Sequence, residues 1–409
     1  MATTEKTVTP PPVRRDGDED HGTSWAWPIG LLAGALFLFI LYKWILPNSD
    51  ASVQTWFRAW LSASAVNECV LWVIFALGLN IVIGYAGLLD LGYVAFWAIG
   101  GYTGGWLYST FAFDKDLNIH LLGSVPSTIH GIHINFWLLL VVAGCFCALW
   151  GALIGAPTLR LKSDYLALVT LGFGEIIPQV FTNGEDFGGF NLSNGTKGIT
   201  PIDPIQVYPG GPKLLAFDLS YKFLIYVALA AVFTFVSLRL REGRLGRAWL
   251  AIREDELAAS MMGVPLMRTK LAAYAVGAFA GGLGGVAFAT HIGGVLPDRF
   301  NFSISITLVA MVVLGGMGNV WGVILGALVI AWINNTGLSQ LGTTFNSTFH
   351  TNHNFPADNY LIFGGILVIM MLFRREGLLP ETRTRRLLKE PERTQLESVG
   401  ADLEGEVEG

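Results

Sequence analysis

Ionisable side chains set inside apolar runs are the groups with chemistry to offer in this chain. A charge in hydrocarbon persists only beside a partner, a cavity or a water-filled path. Glu175 is the foremost of them. In D-Y-L-A-L-V-T-L-G-F-G-E-I-I-P-Q-V-F (164–181), Gly172, Glu175 and Gln179 stand at i, i+3 and i+7 and form one polar stripe of a helix. Pro178 is expected to break that helix just beyond. The stripe is expected to face the bundle or a path through it; the plainer alternative is a carboxylate near a helix end, hydrogen-bonded to a neighbouring span. Asp90 sits at the edge of another apolar run. Gly87, Tyr102 and Thr103 flank it in the glycine-rich stretch 84–105, and these four join Gly172, Glu175 and Gln179 as candidate path residues. His291, also at a run's edge, reads as a solvated or capping histidine.

Other constellations offer less. His130-Gly-Ile-His133 and His350-Thr-Asn-His353 have a metal-like spacing. Both fall in loops without helical pattern or nearby Cys ligands, so solvated histidines and no metal site are expected. Cys69, Cys145 and Cys147 lie in apolar runs, the last two on different sides of a helix, which implies neither a disulfide nor a metal site. The chain contains no G-x-S-x-G, no H-E-x-x-H and no G-x-x-x-x-G-K-[ST]. No catalytic residue and no cofactor follow, and any nucleotide would be bound by another subunit.

The elements that position these groups are membrane helices. Hydrophobic residues make up 52% of the 409 and charged residues 14%, against about 25% charged in a soluble domain; mean hydropathy is +0.52. Apolar runs near 28–46, 65–83, 90–110, 136–157, 164–181, 222–240, 269–291, 303–317, 320–334 and 358–373 give ten candidate spans. Several are shorter than the roughly 20 residues of a crossing helix. The expected fold is therefore an all-α polytopic bundle of about ten transmembrane or partly re-entrant helices over residues 25–375. Residues 1–24 read as a disordered tail without the layout of a cleaved signal peptide, and 376–409 as a charged tail. The 49 glycines cluster in the apolar runs, where small residues permit close helix packing or broken helices beside a polar path. Gly84, Gly87 and Gly92 align with Gly315, Gly318 and Gly322 as a faint internal repeat.

Charge sets the expected orientation. With the amino terminus inside, 19 of the 26 Lys and Arg fall in cytoplasmic segments and five in the opposite loops, which places both termini in the cytoplasm. Residues 303–334 must then form a hairpin, because a single crossing would put Arg374, Arg375, Arg383, Arg385 and Arg386 outside.

The densest cytoplasmic segment is 239–270, with seven basic residues. Leu245, Trp249 and Ile252, and then Leu257, Met261 and Val264, lie at i, i+4 and i+7, an amphipathic helical pattern closed by Gly263 and Pro265. Glu254, Asp255 and Glu256 face elsewhere, so such a helix is expected to have one face for the membrane protein and one for a partner. An interfacial loop that only fixes topology is the alternative. Glu256, Ala258, Ala259 and Gly263 resemble the E-A-A-x-x-x-G loop of ATP-binding-cassette (ABC) importer permeases, with Leu257 inside the motif.

Four runs resemble one family in order and spacing: G-Y-A-G-L-L-D-L-G-Y-V-A-F-W-A-I-G-G-Y-T (84–103), L-R-L-K-S-D-Y-L-A-L-V-T-L-G-F-G-E-I-I (159–177), G-R-A-W-L-A-I-R-E-D-E-L-A-A (246–259) and M-V-V-L-G-G-M-G-N-V-W-G-V-I-L-G-A (311–327). They are similar to the M-type permease of bacterial branched-chain amino acid ABC importers over about residues 65–375. Asp90 and Tyr93 stand where many relatives carry Ser and His. The resemblance implies a multi-pass subunit of the bacterial inner (cytoplasmic) membrane, surrounded by lipid and binding no nucleic acid. Implied partners are an H-type permease, two ABC ATPase subunits and an exterior substrate-binding protein. It also implies that Arg253, Glu254, Asp255, Glu256, Ala258, Ala259 and Gly263 form the coupling surface for the ATPase. A urea or short-amide importer shares this architecture, and an intramembrane enzyme is the rival of a different class.

Overall fold

A bilayer offers no partner for backbone N–H and C=O groups, so each apolar run must satisfy its own and becomes helical. A computed structural model describes residues 26–373, apart from 112–117, 122–124, 127, 162, 187, 209–210, 212, 215–217 and 351–352, together with 377–379. Residues 1–24 and nearly all of 376–409, read above as tails, lie outside the described residues. In chain order the helices begin with α1 (Ala26–Ile40), α2 (Ala51–Trp60) and α3 (Ala63–Leu79), the last continuing through a π-helical turn, Asn80–Tyr85. After a linker, 86–93, follow α4 (Val94–Leu107), α5 (Phe136–Thr158), α6 (Ser163–Thr182) and α7 (Leu219–Glu242). Then come the short α8 (Arg244–Glu254) and α9 (Glu256–Met261), the long α10 (Leu266–Ile292), α11 (Phe302–Gly315), α12 (Val320–Trp332), α13 (Leu338–Phe349) and α14 (Asn359–Phe373).

Each of the ten apolar runs contains a helix, and among the described residues eight helical stretches are long and apolar enough to cross a membrane. The chain is a polytopic helical bundle. α4, with 14 residues, covers about 21 Å and falls short of a hydrocarbon core of roughly 30 Å. Its position explains the shortness. Tyr93 donates its hydroxyl hydrogen to the carbonyl of Gly277, 2.8 Å away and near the middle of α10, and the Val94 N–H donates to Ser305 Oγ near the start of α11 at 3.1 Å. Thus α4 and α11 both begin at mid-depth, with their N-termini meeting. The linker 86–93 enters the bundle to reach that point.

α3, α4 and α10 form the centre, and glycine sets their spacing. A Cβ on Gly100 would lie 2.6 Å from Gly282 Cα, so α4 and α10 touch backbone to backbone. Around this contact Trp97 packs against Phe75 (ring centroids 4.4 Å) and Phe288 (4.6 Å). α11 and α12 form an antiparallel hairpin in which Gly315 abuts Gly322 and Met311 abuts Gly326. α6 differs from expectation at Pro178, since it runs on to Thr182. A proline removes one N–H donor, and a membrane helix can continue past that loss.

The loops at one end of the bundle carry a small sheet, ordered β1 (Tyr108–Ser109), β3 (Gly131–Ile134), β2 (Asn118–Leu121), with β4 (Ile205–Gln206) paired to β5 (Lys213–Leu214) nearby. These strands overturn the reading of His133 as solvated. It is fully buried, with Nδ1 2.6 Å from Asp203 Oδ2 and Nε2 3.2 Å from the His130 carbonyl. Both ring nitrogens thus meet oxygen partners within the protein. His291 is corrected likewise. It is buried on the last turn of α10, 3.3 Å from Ser64 Oγ and 3.8 Å from Glu68, because α10 continues to Ile292, where Gly293 caps it, and keeps that turn against α3.

Candidate functional site

Two surfaces gather the candidate residues. The first is the segment joining α7 to α10, where the single helical pattern over 244–264 is broken in two. Asp255 leaves helical geometry (φ −153°, ψ 110°) and its Oδ1 accepts the N–H groups of Leu257 at 2.8 Å and Ala258 at 3.0 Å. This is a helix N-cap, the role an Asp ahead of a short helix fills well. The break rotates α9 relative to α8. Trp249 and Ile252 remain buried against the bundle, with Trp249 Nε1 donating to the Thr269 carbonyl at 2.8 Å. Leu257 and Met261 point outward at 69% and 78% exposure, beside Met262 at 85%.

Four of the seven coupling candidates serve the chain itself. Arg253 donates to the Gly84 carbonyl and packs on Gly87. Asp255 is the cap. Glu256 pairs with Lys270 at 2.6 Å, Lys270 being nearly buried. Ala259 is buried. Glu254, Ala258 and Gly263 are exposed, and Gly263 has a φ of +83° with no neighbouring atom where a Cβ would stand. The protruding apolar knob is therefore Leu257, Met261 and Met262, none of them among the seven coupling candidates. The signal was Asp255 followed by Glu256, an acidic cap and first turn.

The second surface is one face of α6. Glu175 and Gln179 are exposed, Gly172 is half-exposed, and a Cβ at Gly172 would meet nothing within 4 Å. Tyr165, Leu168 and Ile176 share the exposure. The exposed positions well inside α5 and α7, such as Leu149, Leu153, Val232 and Phe235, are apolar and suit lipid. An exposed carboxylate well inside α6 does not.

The remaining path candidates are interior. Asp90 is fully buried, its Oδ1 accepting the Gly92 N–H at 2.8 Å while Oδ2 has no hydrogen-bond partner. Tyr102 is buried with its ring stacked on Phe181 at 3.9 Å. Thr103 is buried and returns its hydroxyl hydrogen to the Ile99 carbonyl at 2.7 Å. Linker and α6 are nonetheless joined. The Leu91 N–H donates to Thr170 Oγ1 at 3.1 Å, and a Cβ on Gly174 would lie 2.9 Å from Gly92 Cα.

Comparison with known proteins identifies this arrangement. A family model described as "Branched-chain amino acid transport system / permease component" matches residues 62–372. The high-affinity branched-chain amino acid transport system permease protein LivM of Escherichia coli (strain K12) is 36% identical over 339 residues, covering 78% of this chain and 70% of the relative. A probable branched-chain amino acid transport permease protein LivM of Methanocaldococcus jannaschii is 25% identical over 353 residues, covering 78% and 95%. The ribose import permease protein RbsC of Escherichia coli (strain K12) is 25% identical over 232 residues, covering 55% and 68%. No solved structure matches. With a bundle of apolar helices, a broken central helix and a family match across most of its length, the chain belongs to the branched-chain amino acid transport permeases, a multi-pass membrane transport subunit and not an enzyme.

Proposed function

We propose that the chain is one half of the membrane pathway of a bacterial cytoplasmic-membrane importer for branched-chain amino acids. An H-type permease supplies the other half along the α6 face, two ABC ATPase subunits supply the energy, and an exterior binding protein delivers the substrate. Residues 239–270 and both termini face the cytoplasm. The observation that carries the reading is the knob Leu257, Met261 and Met262 on a capped short helix whose base is pinned to the bundle. A passive channel has no use for a rigid apolar projection in water, whereas a driven permease needs one to receive force. Burial of such a cluster also supports a lasting contact, at about 25 cal/mol per Å² of apolar surface.

The test is reconstitution with the H-type permease, ATPase and binding protein. ATP hydrolysis stimulated by leucine-loaded binding protein, with leucine uptake, is the expected result; Met261→Glu should release the ATPase because a charge would have to be desolvated at the contact. Stimulation by urea or a short amide, with none by leucine, isoleucine or valine, would assign the cargo elsewhere. Full uptake with Met261→Glu would remove α9 as the docking element.

A further inference from the structure

Between the projecting knob and the α6 face the structure holds a chain of hydrogen bonds and close contacts, and Arg253 is its first joint. Trp249 and Ile252 hold α8 to the bundle, so α8 presents Arg253 at a fixed place. Arg253 Nη1 donates to the Gly84 carbonyl, at the end of the π-helical turn Asn80–Tyr85. Its stem fills the space beside Gly87, where a Cβ would lie 2.9 Å from Arg253 Cγ and where φ is +68°. The same turn is tied to the α11–α12 hairpin, since Asn80 Oδ1 accepts the Gly318 N–H at 2.9 Å. From Gly87 the linker runs a few residues to Leu91 and Gly92, which are bonded and packed onto Thr170 and Gly174 of α6. Glu175 follows directly. The links are hydrogen bonds through the Arg253, Asn80 and Thr170 side chains and, at Gly92 and Gly174, a backbone contact with no side chain between.

We propose that Arg253 is the positioning residue that transmits movement of α8 and α9 through the linker 86–93 to the α6 face, and that it is not itself a contact to the ATPase. This rests on α9 being the docking element. Arg253 acts through the linker, and Thr170 is the second joint. Removing either joint uncouples ATP hydrolysis from transport and leaves the assembly whole.

The experiment uses the full reconstituted complex with Arg253→Ala, Arg253→Lys, Thr170→Val and Met261→Glu. Arg253→Ala should keep the ATPase and H-type permease through copurification while leucine uptake falls about tenfold or more, the scale of coupling between sites. Arg253→Lys keeps one donor and part of the stem and should recover part of the uptake. Thr170→Val, nearly isosteric and remote from α8, should reproduce the uncoupling. Spin labels at Leu89→Cys and Gly172→Cys, one at an exposed position of the linker and one in open space on α6, should report an ATP-dependent distance change that Arg253→Ala abolishes. Loss of the ATPase from Arg253→Ala with Thr170→Val fully active would make Arg253 a docking residue and overturn the relay. Full uptake in both variants would overturn it as well. Retention of the ATPase by Met261→Glu would count against α9 docking alone, because the spin-label distances read the relay independently.

Discussion

At the scale of single residues, exposure separates side chains that serve the fold from those left for partners. Glu175 belongs to the second group. Glu175→Gln removes the charge while keeping a hydrogen-bonding amide of similar size, so the complex should assemble and leucine uptake should change severalfold, with ATP hydrolysis recorded alongside; wild-type uptake at normal ATP turnover would exclude a pathway role. Asp203 belongs to the first group. Burial raises its pKa above the usual carboxylate value, against the opposing pull of His133. A raised folded-state value means that stability is fully present below the unfolded carboxylate value near 4 and is lost as pH rises through the folded value. Amide exchange at 199–206, corrected for its intrinsic pH dependence, should quicken over that window, and Asp203→Asn should flatten the dependence. Glu175 was legible in the sequence because a carboxylate in an apolar run has few explanations. His133 was not, because its burial depends on Asp203, which is distant in sequence and brought near only by folding.

At the scale of elements, apolar length located a helix in each of the ten runs, since hydrophobic runs are a direct record of the solvent around them. It could not reveal which runs are broken. α4 reads as one span because its linker, Leu88 to Tyr93, is as apolar as the helix; only the Tyr93–Gly277 and Val94–Ser305 bonds show that the helix begins at mid-depth. The division of 244–264 into α8 and α9 was hidden for a related reason, as apolar spacing continued across a cap. Asp255→Ala should cost α9 about 1 kcal/mol, read as faster amide exchange over 256–261 and weaker ATPase retention; unchanged exchange would deny the cap its role. Trp249→Ala should destabilise the α8 contact by about 3–5 kcal/mol through the cavity left behind. Trp249→Phe should lose less, mainly the hydrogen bond to Thr269. Thermal unfolding in detergent measures both, and equal losses in the two variants would place the hydrogen bond above the packing.

At the scale of the whole molecule, two groups of segments lie at opposite ends of α10. Near its start, Trp249 bonds Thr269, Arg253 bonds Gly84, Gly318 meets Asn80, and Leu378 and Leu379 donate backbone N–H groups to Leu314 and Gly315. Near its end, Ile199 pairs with Val295, Ile202 bonds Gly293 and Asp203 reaches His133. The basic residues of 239–270 and the segment leading to the carboxyl terminus thus share one end, as the charge reading requires of two segments on one side of the membrane. That grouping was partly legible, because Lys and Arg bias reports sidedness, but the end-to-end contacts required the fold. Cysteine labelling decides the sidedness. In a background with Cys69, Cys145 and Cys147 replaced, Met262→Cys and Lys197→Cys are both well exposed, at opposite ends. A membrane-impermeant maleimide added to intact cells, with the outer membrane opened where there is one, should modify Lys197→Cys and spare Met262→Cys until the cytoplasmic membrane is permeabilised. The reverse pattern would place the α9 knob outside, where no ATPase can reach it, and would remove both the docking reading and the orientation together.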